Sequence, residues 1–266
     1  MKKIKFLLAL FVLAFIIIGC EETTTVEVEI PDEEYIVVES ELVADSLFTG
    51  VRFTKTLPIG ELYDINKAEL KSVVAYLKVD DAQIIPVHYD SAGWYRPLYD
   101  YRIEPGRKYE LIAEYNDILI YARTNVPQVP EVQRVIFSNE YYLSAEVKTK
   151  QHEVYGAAWV IGSRISSSFH SITEPVNQIV PQIVDTRTSL FDEDLRSAVY
   201  RSNSFIRVYA FDEQFFDYFR SKDNHQFIED GISQGGGLVT WNTFGDNVIG
   251  VFMGIAHSPL IFPEGD

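Results

Sequence analysis

The sequence has a single cysteine, Cys20, and only two methionines. One thiol cannot form a disulfide within the chain, and it cannot build the four-cysteine sites that hold structural zinc. The stability of the folded part must therefore come from core packing. Hydrophobic residues make up 47% of the sequence, which is enough to supply such a core.

Basic residues are also scarce. The 23 lysines and arginines stand against 39 aspartates and glutamates, which gives a formal net charge of −16. Nucleic acids and anionic lipid headgroups are bound by basic surfaces. The composition therefore argues against both ligands, and we expect no nucleic acid among the partners.

The common catalytic motifs are missing from the sequence. It has no HExxH pair, no Gly-x-Ser-x-Gly turn and no phosphate loop. The serine run 166–168 and the glycine run 235–237 lack the spacing of a hydrolase or nucleotide site, so we interpret both as loops. The histidines are scattered, and we expect structural or surface roles for all five: His88, His152, His170, His225 and His257.

Two acidic clusters, Asp80-Asp81 and Asp192-Glu193-Asp194, could offer oxygen ligands to calcium. Neither matches an EF-hand loop, and a solvated turn is the preferred interpretation. We predict no metal, no cofactor and no enzymatic activity. A hydrolase whose carboxylates are brought together by the fold stays open as an alternative, because the chain has many acids and the sequence singles out no pair.

The N-terminus carries the clearest signal. Three lysines within the first five residues precede an unbroken apolar run from Phe6 to Ile18. A helix of this length would span only about two thirds of a ~30 Å hydrocarbon core, so we predict a signal peptide over residues 1–19 rather than a transmembrane helix. The ending Ile17-Ile18-Gly19-Cys20 resembles the lipobox of bacterial lipoproteins, which implies that Cys20 is lipidated and anchors the protein in a membrane.

Residues 20–34 are predicted to be the lipidated cysteine and a solvated tether. The segment after Cys20 carries seven acidic side chains and no basic one, and such a composition buries too little apolar surface to become ordered. Glu21 and Glu22 are also similar to the surface-export signals of Bacteroidetes lipoproteins. A plain spacer is the alternative.

The folded part is predicted to be mainly β. Tyrosine and phenylalanine are abundant, with 16 and 17 copies, and aromatic side chains pack well on pleated strands. Residues 35–128 contain short β-rich runs at intervals of about ten residues, which is typical of a β-sandwich. The predicted strands are Tyr35 to Val43, Phe48 to Lys55, Ser72 to Val79, Gln83 to Tyr89, Tyr109 to Tyr115, and Ile118 to Val126. A turn is expected at Ala92-Gly93, and Asn116-Asp117 should join the last two strands as a hairpin.

Two prolines, Pro127 and Pro130, end this strand ladder and predict a domain boundary. Residues 131–266 are predicted to form a second β-rich domain with a short helix. Asp212 could cap that helix, whose phenylalanines share one face and which should end near Ser221. Loops and short elements are expected over residues 165–200, and glycines within the apolar run Val248 to Ala256 predict bulges or close backbone approach.

One aromatic group is a candidate binding surface. Trp94, Tyr95, Tyr99 and Tyr101 lie close together in sequence, and flat rings can stack on sugars or anchor a protein partner. The alternative is that these rings belong to the core or pack against the surface of a sheet.

Two short patterns, Asp45-Ser46-Leu47 and Asp90-Ser91-Ala92, resemble the O-glycosylation acceptor of Bacteroidetes.

A set of short segments spread along the chain carries a family resemblance. The segments are Cys20 with its acidic tether, Ile36 to Glu39, Gly93-Trp94-Tyr95 through Pro105-Gly106 to Leu111, Tyr121 to Thr124 with Val126-Pro127, Ile206 to Val208, Phe216 to Phe219, and Gly250 to Phe252. Together they resemble a family of Bacteroidetes outer-membrane lipoproteins that carry a domain of unknown function and are often encoded near TonB-dependent transporters. The resemblance implies an N-terminal immunoglobulin-like sandwich, a β-rich C-terminal domain and an outer-membrane address, and it assigns no catalytic residue.

Three hypotheses follow for the function. The first is a non-enzymatic accessory module that binds a protein partner, such as an outer-membrane transporter, and it requires an exposed apolar patch or an open sheet edge. The second is a surface glycan-binding module, which requires an aromatic platform. The third is a hydrolase, which requires a cleft with converging carboxylates of perturbed pKa.

Overall fold

The computed structural model describes residues 33–58, 60–139, 142–161, 164–165, 172–185, 204–225 and 239–262. The predicted signal peptide, Cys20 and most of the predicted tether lie outside these residues. So do the serine run 166–168, His170, the cluster Asp192-Glu193-Asp194 and the glycine run 235–237.

The described residues are mostly strands, with one helix of 11 residues and one of four. The strands are β1 (Ile36–Val43), β2 (Val51–Lys55), β3 (Val74–Val79), β4 (Gln83–Ser91), β5 (Trp94–Arg96), β6 (Lys108–Tyr115), β7 (Ile118–Asn125), β8 (Glu131–Asn139), β9 (Tyr142–Lys148), β10 (Glu153–Ile161), β11 (Arg164–Ile165), β12 (Pro181–Asp185), β13 (Ser204–Asp212), β14 (Thr243–Phe244) and β15 (Val248–His257). The helices are α1 (Ile65–Ala68) and α2 (Phe215–His225).

Within the described ranges the strands form one twelve-stranded and one three-stranded sheet. The large sheet has the order β11-β10-β13-β15-β1-β2-β5-β4-β3-β6-β7-β14, and the small one β12-β9-β8. The large sheet curls, and β1 and β15, from opposite ends of the described chain, pair in parallel as neighbouring interior strands. The predicted mainly β fold with a short helix is confirmed.

The curled sheet encloses the first hydrophobic core. Alternate residues of β1, including Val38 and Leu42, point into it because successive side chains of a strand face opposite sides. They join Phe53 of β2, Leu77 of β3 and Phe252 of β15 in the same cluster. The strands of the predicted sandwich therefore pack around one shared core.

Tight turns join several of these strands as the sequence predicted. Asn116 and Asp117 both have positive φ, at 48° and 65°, between β6 and β7. Ala92 and Gly93 do the same between β4 and β5. Paired positive φ values define the turn whose twist matches a two-residue hairpin. Aspartate, asparagine and glycine tolerate this backbone region best.

A second layer of packing covers both faces of β10 and β13. On one face Tyr155, Ile206 and Val208 pack against the three-stranded sheet, where Ala145 and Val147 are buried. On the other face Phe211 and Phe215 form a third cluster with Met253 and Ile255 of β15. The helix α2 is thereby fixed over the outer face of β15.

The glycines of β15 mark close backbone approaches, as predicted. A Cβ on Gly250 would lie 2.0 Å from the carbonyl oxygen of Val38, and one on Gly254 would lie 2.6 Å from that of Asn125. Gly254 also donates its N–H to Thr124 Oγ1 at 3.0 Å. Strand β15 is therefore in close contact with β1, its parallel neighbour in the sheet, and also with β7, which is not its neighbour there.

The predicted boundary falls at residues 126–130, between β7 and β8. However, β15 returns to pair with β1, and residues 33–266 group as one compact unit. The division into domains 35–128 and 131–266 stays a prediction. The short strands β5 and β12 were not anticipated as separate elements, since each depends on pairing with a distant segment of the chain.

Candidate aromatic cleft on the outer face of the sheet

The main candidate site is a cleft of about 520 Å³ on the outer face of β15, β1 and β5. Its floor is formed by side chains of β1 and β15 that point away from the first core, including Glu39 and Glu41 of β1 and Val251 of β15. Tyr218 of α2 and Trp241 form one wall, and Trp94 of β5 forms the opposite end. These residues define what we call the aromatic cleft.

The wall of the cleft is built by α2 and the segment before β14. The rings of Tyr218 and Trp241 are 6.0 Å apart between centroids. Ser221 Oγ links the two segments, since it donates to the carbonyl oxygen of Tyr218 at 3.0 Å and accepts from Thr240 N at 2.9 Å. The hydroxyl group of Ser221 thus holds the two backbone segments that carry these aromatic side chains next to each other.

Asn242 fixes the segment that carries Trp241. Its side-chain amide donates to the carbonyl oxygen of Phe252 at 2.8 Å and accepts from Phe252 N at 2.9 Å. The side chain of Asn242 therefore makes the two backbone hydrogen bonds at Phe252 that a neighbouring strand would otherwise make. It also donates to Arg123 O of β7 at 3.3 Å, so one buried side chain connects three segments.

We expect Asn242→Ala to destabilise the protein by about 2 to 3 kcal/mol, because the buried N–H and C=O of Phe252 lose their partners. Trp241 should also lose its fixed position. Urea denaturation gives the change in free energy, and Trp241 fluorescence reports the local change. Asp246→Ala, an exposed change in the same loop, is the matched control and should have little effect; equal stability of the two variants would contradict the role assigned to Asn242.

The opposite end of the cleft holds Trp94 between two arginines. The guanidinium carbons of Arg52 and Arg96 lie 6.0 and 5.8 Å from the centroid of the Trp94 ring, within the range of cation–π attraction. Arg52 also donates to Glu39 at 3.3 Å and to the carbonyl oxygen of Ala92 at 3.2 Å. Arg96 forms an ion pair with Asp90.

The two glutamates of the cleft differ in whether a basic side chain neutralises their charge. Glu39 is paired with Arg52, whereas Glu41 has neither an ion pair nor a hydrogen bond among the described residues. The pKa of Tyr218 is raised, first by burial and then by the negative charge of Glu41. Glu41 therefore lies close enough to the phenol to act on it.

The structure separates the four aromatic residues predicted as a binding surface. Tyr95 is 1% exposed, and its hydroxyl donates to Leu70 O at 2.9 Å and accepts from Val73 N at 3.0 Å. Tyr101 is 7% exposed and faces Tyr109. These two predictions are corrected, because both rings are part of the first core. Trp94 remains in the cleft, and Tyr99 is 53% exposed on a separate surface.

Sequence reasoning missed Tyr218, Trp241 and Glu41. Tyr218 lies beside the predicted apolar face of α2, and the helix pattern gives no reason to assign it a separate role. Glu41 follows the alternation of β1, in which both glutamates face outward, and this pattern was a usable signal. Nothing in the sequence shows that Trp241 and β1 are neighbours.

A second group of interest is a pair of carboxylates, Glu153 of β10 and Asp212 of β13, which lie opposite each other in the sheet. Burial raises the pKa of both carboxyl groups. Asp212 Oδ2 accepts from Asn125 N at 2.7 Å and from Asn125 Nδ2 at 2.8 Å. Glu153 accepts from Tyr155 and from the backbone of Gln128. The pair thus holds the linker between β7 and β8.

Asp212 was predicted to cap α2. Its Oδ1 accepts from Gln214 N at 3.3 Å, one residue before the helix begins. The same carboxylate therefore joins the linker to the start of α2.

The acidic cluster Asp80-Asp81 is a charged turn between β3 and β4. Asp80 accepts from Arg107 Nε at 2.6 Å, and Asp81 pairs with Lys108 at 2.8 Å and with Lys78. These cations lower the pKa of Asp81 to about 2. The oxygen atoms are used by basic side chains, which agrees with the preferred interpretation as a solvated turn.

Across the described ranges, no group of three or more histidine, cysteine or acidic residues is placed to hold a metal ion. His88 and His152 are exposed at the surface, and His152 contacts Glu213 at 2.9 Å.

Neither helix in the described part is long and apolar enough to cross a membrane. Ser91 is exposed and Ser46 is partly buried, and their glycosylation stays a prediction.

These features define a mainly β protein with a ligand-sized cleft on the outer face of a curled sheet. The chain belongs to the family of the domain of unknown function DUF4249, whose family model matches residues 23–258. The match extends across both sides of the predicted domain boundary. No curated protein matches the sequence.

Proposed function

We propose that the protein is a lipid-anchored, non-enzymatic binding module at the outer membrane and that the aromatic cleft is its binding site. The observation that carries this proposal is the convergence of Trp94, Tyr218 and Trp241 on one cleft from three separate segments. Its volume lies within the range of about 300 to 1,000 Å³ that is usual for ligand sites. Tyrosine and tryptophan are also the side chains that most often dominate binding energy at protein interfaces.

The proposed partner is an outer-membrane transporter of the TonB-dependent class. The lipobox-like segment ending at Cys20 supports an anchor in the same membrane, and two or three acyl chains at about 0.8 kcal/mol per buried methylene would make it permanent. An anchored protein is held near other proteins of that membrane, so a modest contact in the cleft is sufficient for association.

A photo-crosslinking amino acid at Tyr218, in the lipidated protein in its own membranes, tests this proposal. We expect recovery of one transporter, and we expect Cys20→Ala to abolish that recovery because the anchor is lost. The matched control is the same crosslinker at Val74, which is 70% exposed on the outer face of β3. Recovery of the same proteins from Val74, or of none from Tyr218, would count against a partner in the cleft.

Glycan binding is a second candidate function, and the aromatic cleft also favours it. Rings such as Trp241 can stack on a sugar face, while carboxylates accept hydrogen bonds from hydroxyl groups. A glycan array with the intact protein tests this function directly. Binding that disappears in Trp241→Ala would support it.

The hydrolase alternative requires two carboxylates that flank a bond. Glu39 and Glu41 project from the same strand and lie on one floor of the cleft, and Glu39 is ion-paired. Glu153 and Asp212 have raised pKa values, but their oxygen atoms accept hydrogen bonds from the chain itself. These arrangements support binding and structural roles more than hydrolysis.

A further inference from the structure

We infer that the aromatic cleft accepts a cationic side chain, a lysine ammonium or an arginine guanidinium, from the protein partner, and that Glu41 is its counter-charge. This inference rests on the proposed function and adds the chemical class of the group that is bound.

The first argument is the charge balance of the cleft. The Glu39 carboxylate is neutralised by Arg52 at 3.3 Å, and the Arg96 guanidinium is neutralised by Asp90. Glu41 has no such partner among the described residues. The cleft therefore has one uncompensated negative charge, and a ligand with a positive group would supply the missing ion pair.

The second argument is the position of the free aromatic surface. Trp94 already has two guanidinium groups next to its ring, so that end of the cleft is occupied by cations of the chain itself. Tyr218 and Trp241 lie on the other side, near Glu41, and the cation–π contacts at Trp94 have no counterpart there in the described part of the chain. A cation between these rings and Glu41 would gain both a carboxylate contact and a ring contact.

The third argument concerns the ligand as a whole. The chain has a formal net charge of −16, which attracts cationic surfaces and increases their association rate. The hydroxyl groups of a neutral saccharide can donate hydrogen bonds to Glu41 but supply no positive charge, and covering a carboxylate without a counter-charge is unfavourable. The observations therefore favour a basic segment of a protein over a neutral glycan.

The test is a titration of the full-length, detergent-solubilised protein with three probes: N-acetyl-arginine methylamide, its neutral isostere N-acetyl-citrulline methylamide, and a neutral oligosaccharide. Trp241 and Trp94 fluorescence reports binding. We expect the arginine probe to bind at least tenfold more tightly than the citrulline probe. Glu41→Gln should reduce affinity for the arginine probe about tenfold, as expected for the loss of one charged contact.

The matched control is Glu114→Gln, which removes the same charge from an exposed position of β6 that does not line the cleft. Its affinity for the arginine probe should stay within twofold of the wild-type value. Equal loss in both variants would show a general charge effect and would overturn the inference. Equal affinity for arginine and citrulline, or oligosaccharide binding that survives Glu41→Gln, would overturn it as well.

Crosslinking from Tyr218 separates this inference from the proposed function. If Glu41→Gln recovers the transporter as efficiently as the wild type, the partner is real and the cationic contact is wrong. If neither protein recovers a partner, the proposed function fails. Loss of recovery in Glu41→Gln, with full recovery in Glu114→Gln, supports both.

Discussion

Gly250→Ala is expected to destabilise the protein by about 4 kcal/mol. Gly250 has φ of +141°, a backbone region that other residues adopt only with strain, and its added Cβ would lie 2.0 Å from the carbonyl oxygen of Val38. Backbone strain and steric overlap each cost roughly 1 to 3 kcal/mol. A loss of about 4 kcal/mol would lower the melting temperature by roughly 8 to 16 °C, which circular dichroism can measure.

Two other glycines separate the causes of this effect. Gly60 has φ of +96° but no atom within 4 Å of an added Cβ, so Gly60→Ala isolates the strain. Gly254 lacks the positive φ, and its added Cβ would lie 2.6 Å from Asn125 O, so Gly254→Ala isolates the overlap. A melting temperature for Gly250→Ala equal to that of Gly60→Ala would show that the close contact of β15 with β1 does not limit stability.

The second large effect is expected for Asp212→Ala. Asp212 is 6% exposed and accepts hydrogen bonds from two nitrogens of Asn125 and from Gln214 N. Hydrogen bonds to a charged group contribute about 1.5 to 3 kcal/mol each, and their loss leaves buried donors unpaired. We expect a loss of about 3 to 5 kcal/mol in urea denaturation, together with faster hydrogen exchange in the linker between β7 and β8.

Asp212→Asn should be milder, because one amide oxygen can still accept both bonds from Asn125. It also removes a titrating group. Since the pKa of Asp212 is raised in the folded state, its contribution to stability is fully present below the unfolded pKa of about 4 and is lost as pH rises through the folded pKa. The stability difference between wild type and Asp212→Asn should therefore increase as pH falls from 7 towards 4.

The control for both variants is Asp217→Ala. Asp217 is an exposed aspartate in the first turn of α2, where it interacts favourably with the helix dipole, worth about 0.3 to 1 kcal/mol. If Asp212→Ala were no more destabilising than Asp217→Ala, the carboxylate would not be holding the linker. A stability difference between wild type and Asp212→Asn that does not vary with pH would contradict the burial effect.

Much of the fold could be predicted because it depends on local patterns. The strand β1 was predicted within one residue, because it is a β-rich run that ends at turn residues, and the burial of its side chains alternates. The hairpin at Asn116-Asp117 followed from two residues that tolerate positive φ, and the turn at Ala92-Gly93 followed from its glycine. The helix α2 was predicted from the spacing of its phenylalanines, although it extends to His225 rather than Ser221.

The candidate site was predicted only in part, and the reason is that burial depends on the partner across the sheet. Trp94 and Tyr95 are adjacent in sequence, yet the pleat of β5 sends Trp94 to the cleft and Tyr95 to the core. Their sequence context is almost the same. No local pattern could reveal that Tyr218 and Trp241 would complete the wall opposite Trp94.

The sequence by itself determined the β class, most strands and turns, the acidic charge and the lipobox-like N-terminus, because each of these depends on neighbours within a few residues. Only the tertiary structure decided that β15 pairs in parallel with β1, which brings residues about 200 positions apart into register. That pairing places Glu41 beside Met253 and under α2, and so creates the aromatic cleft. Contacts between distant segments are selected by packing of the whole chain, and a local pattern cannot specify them.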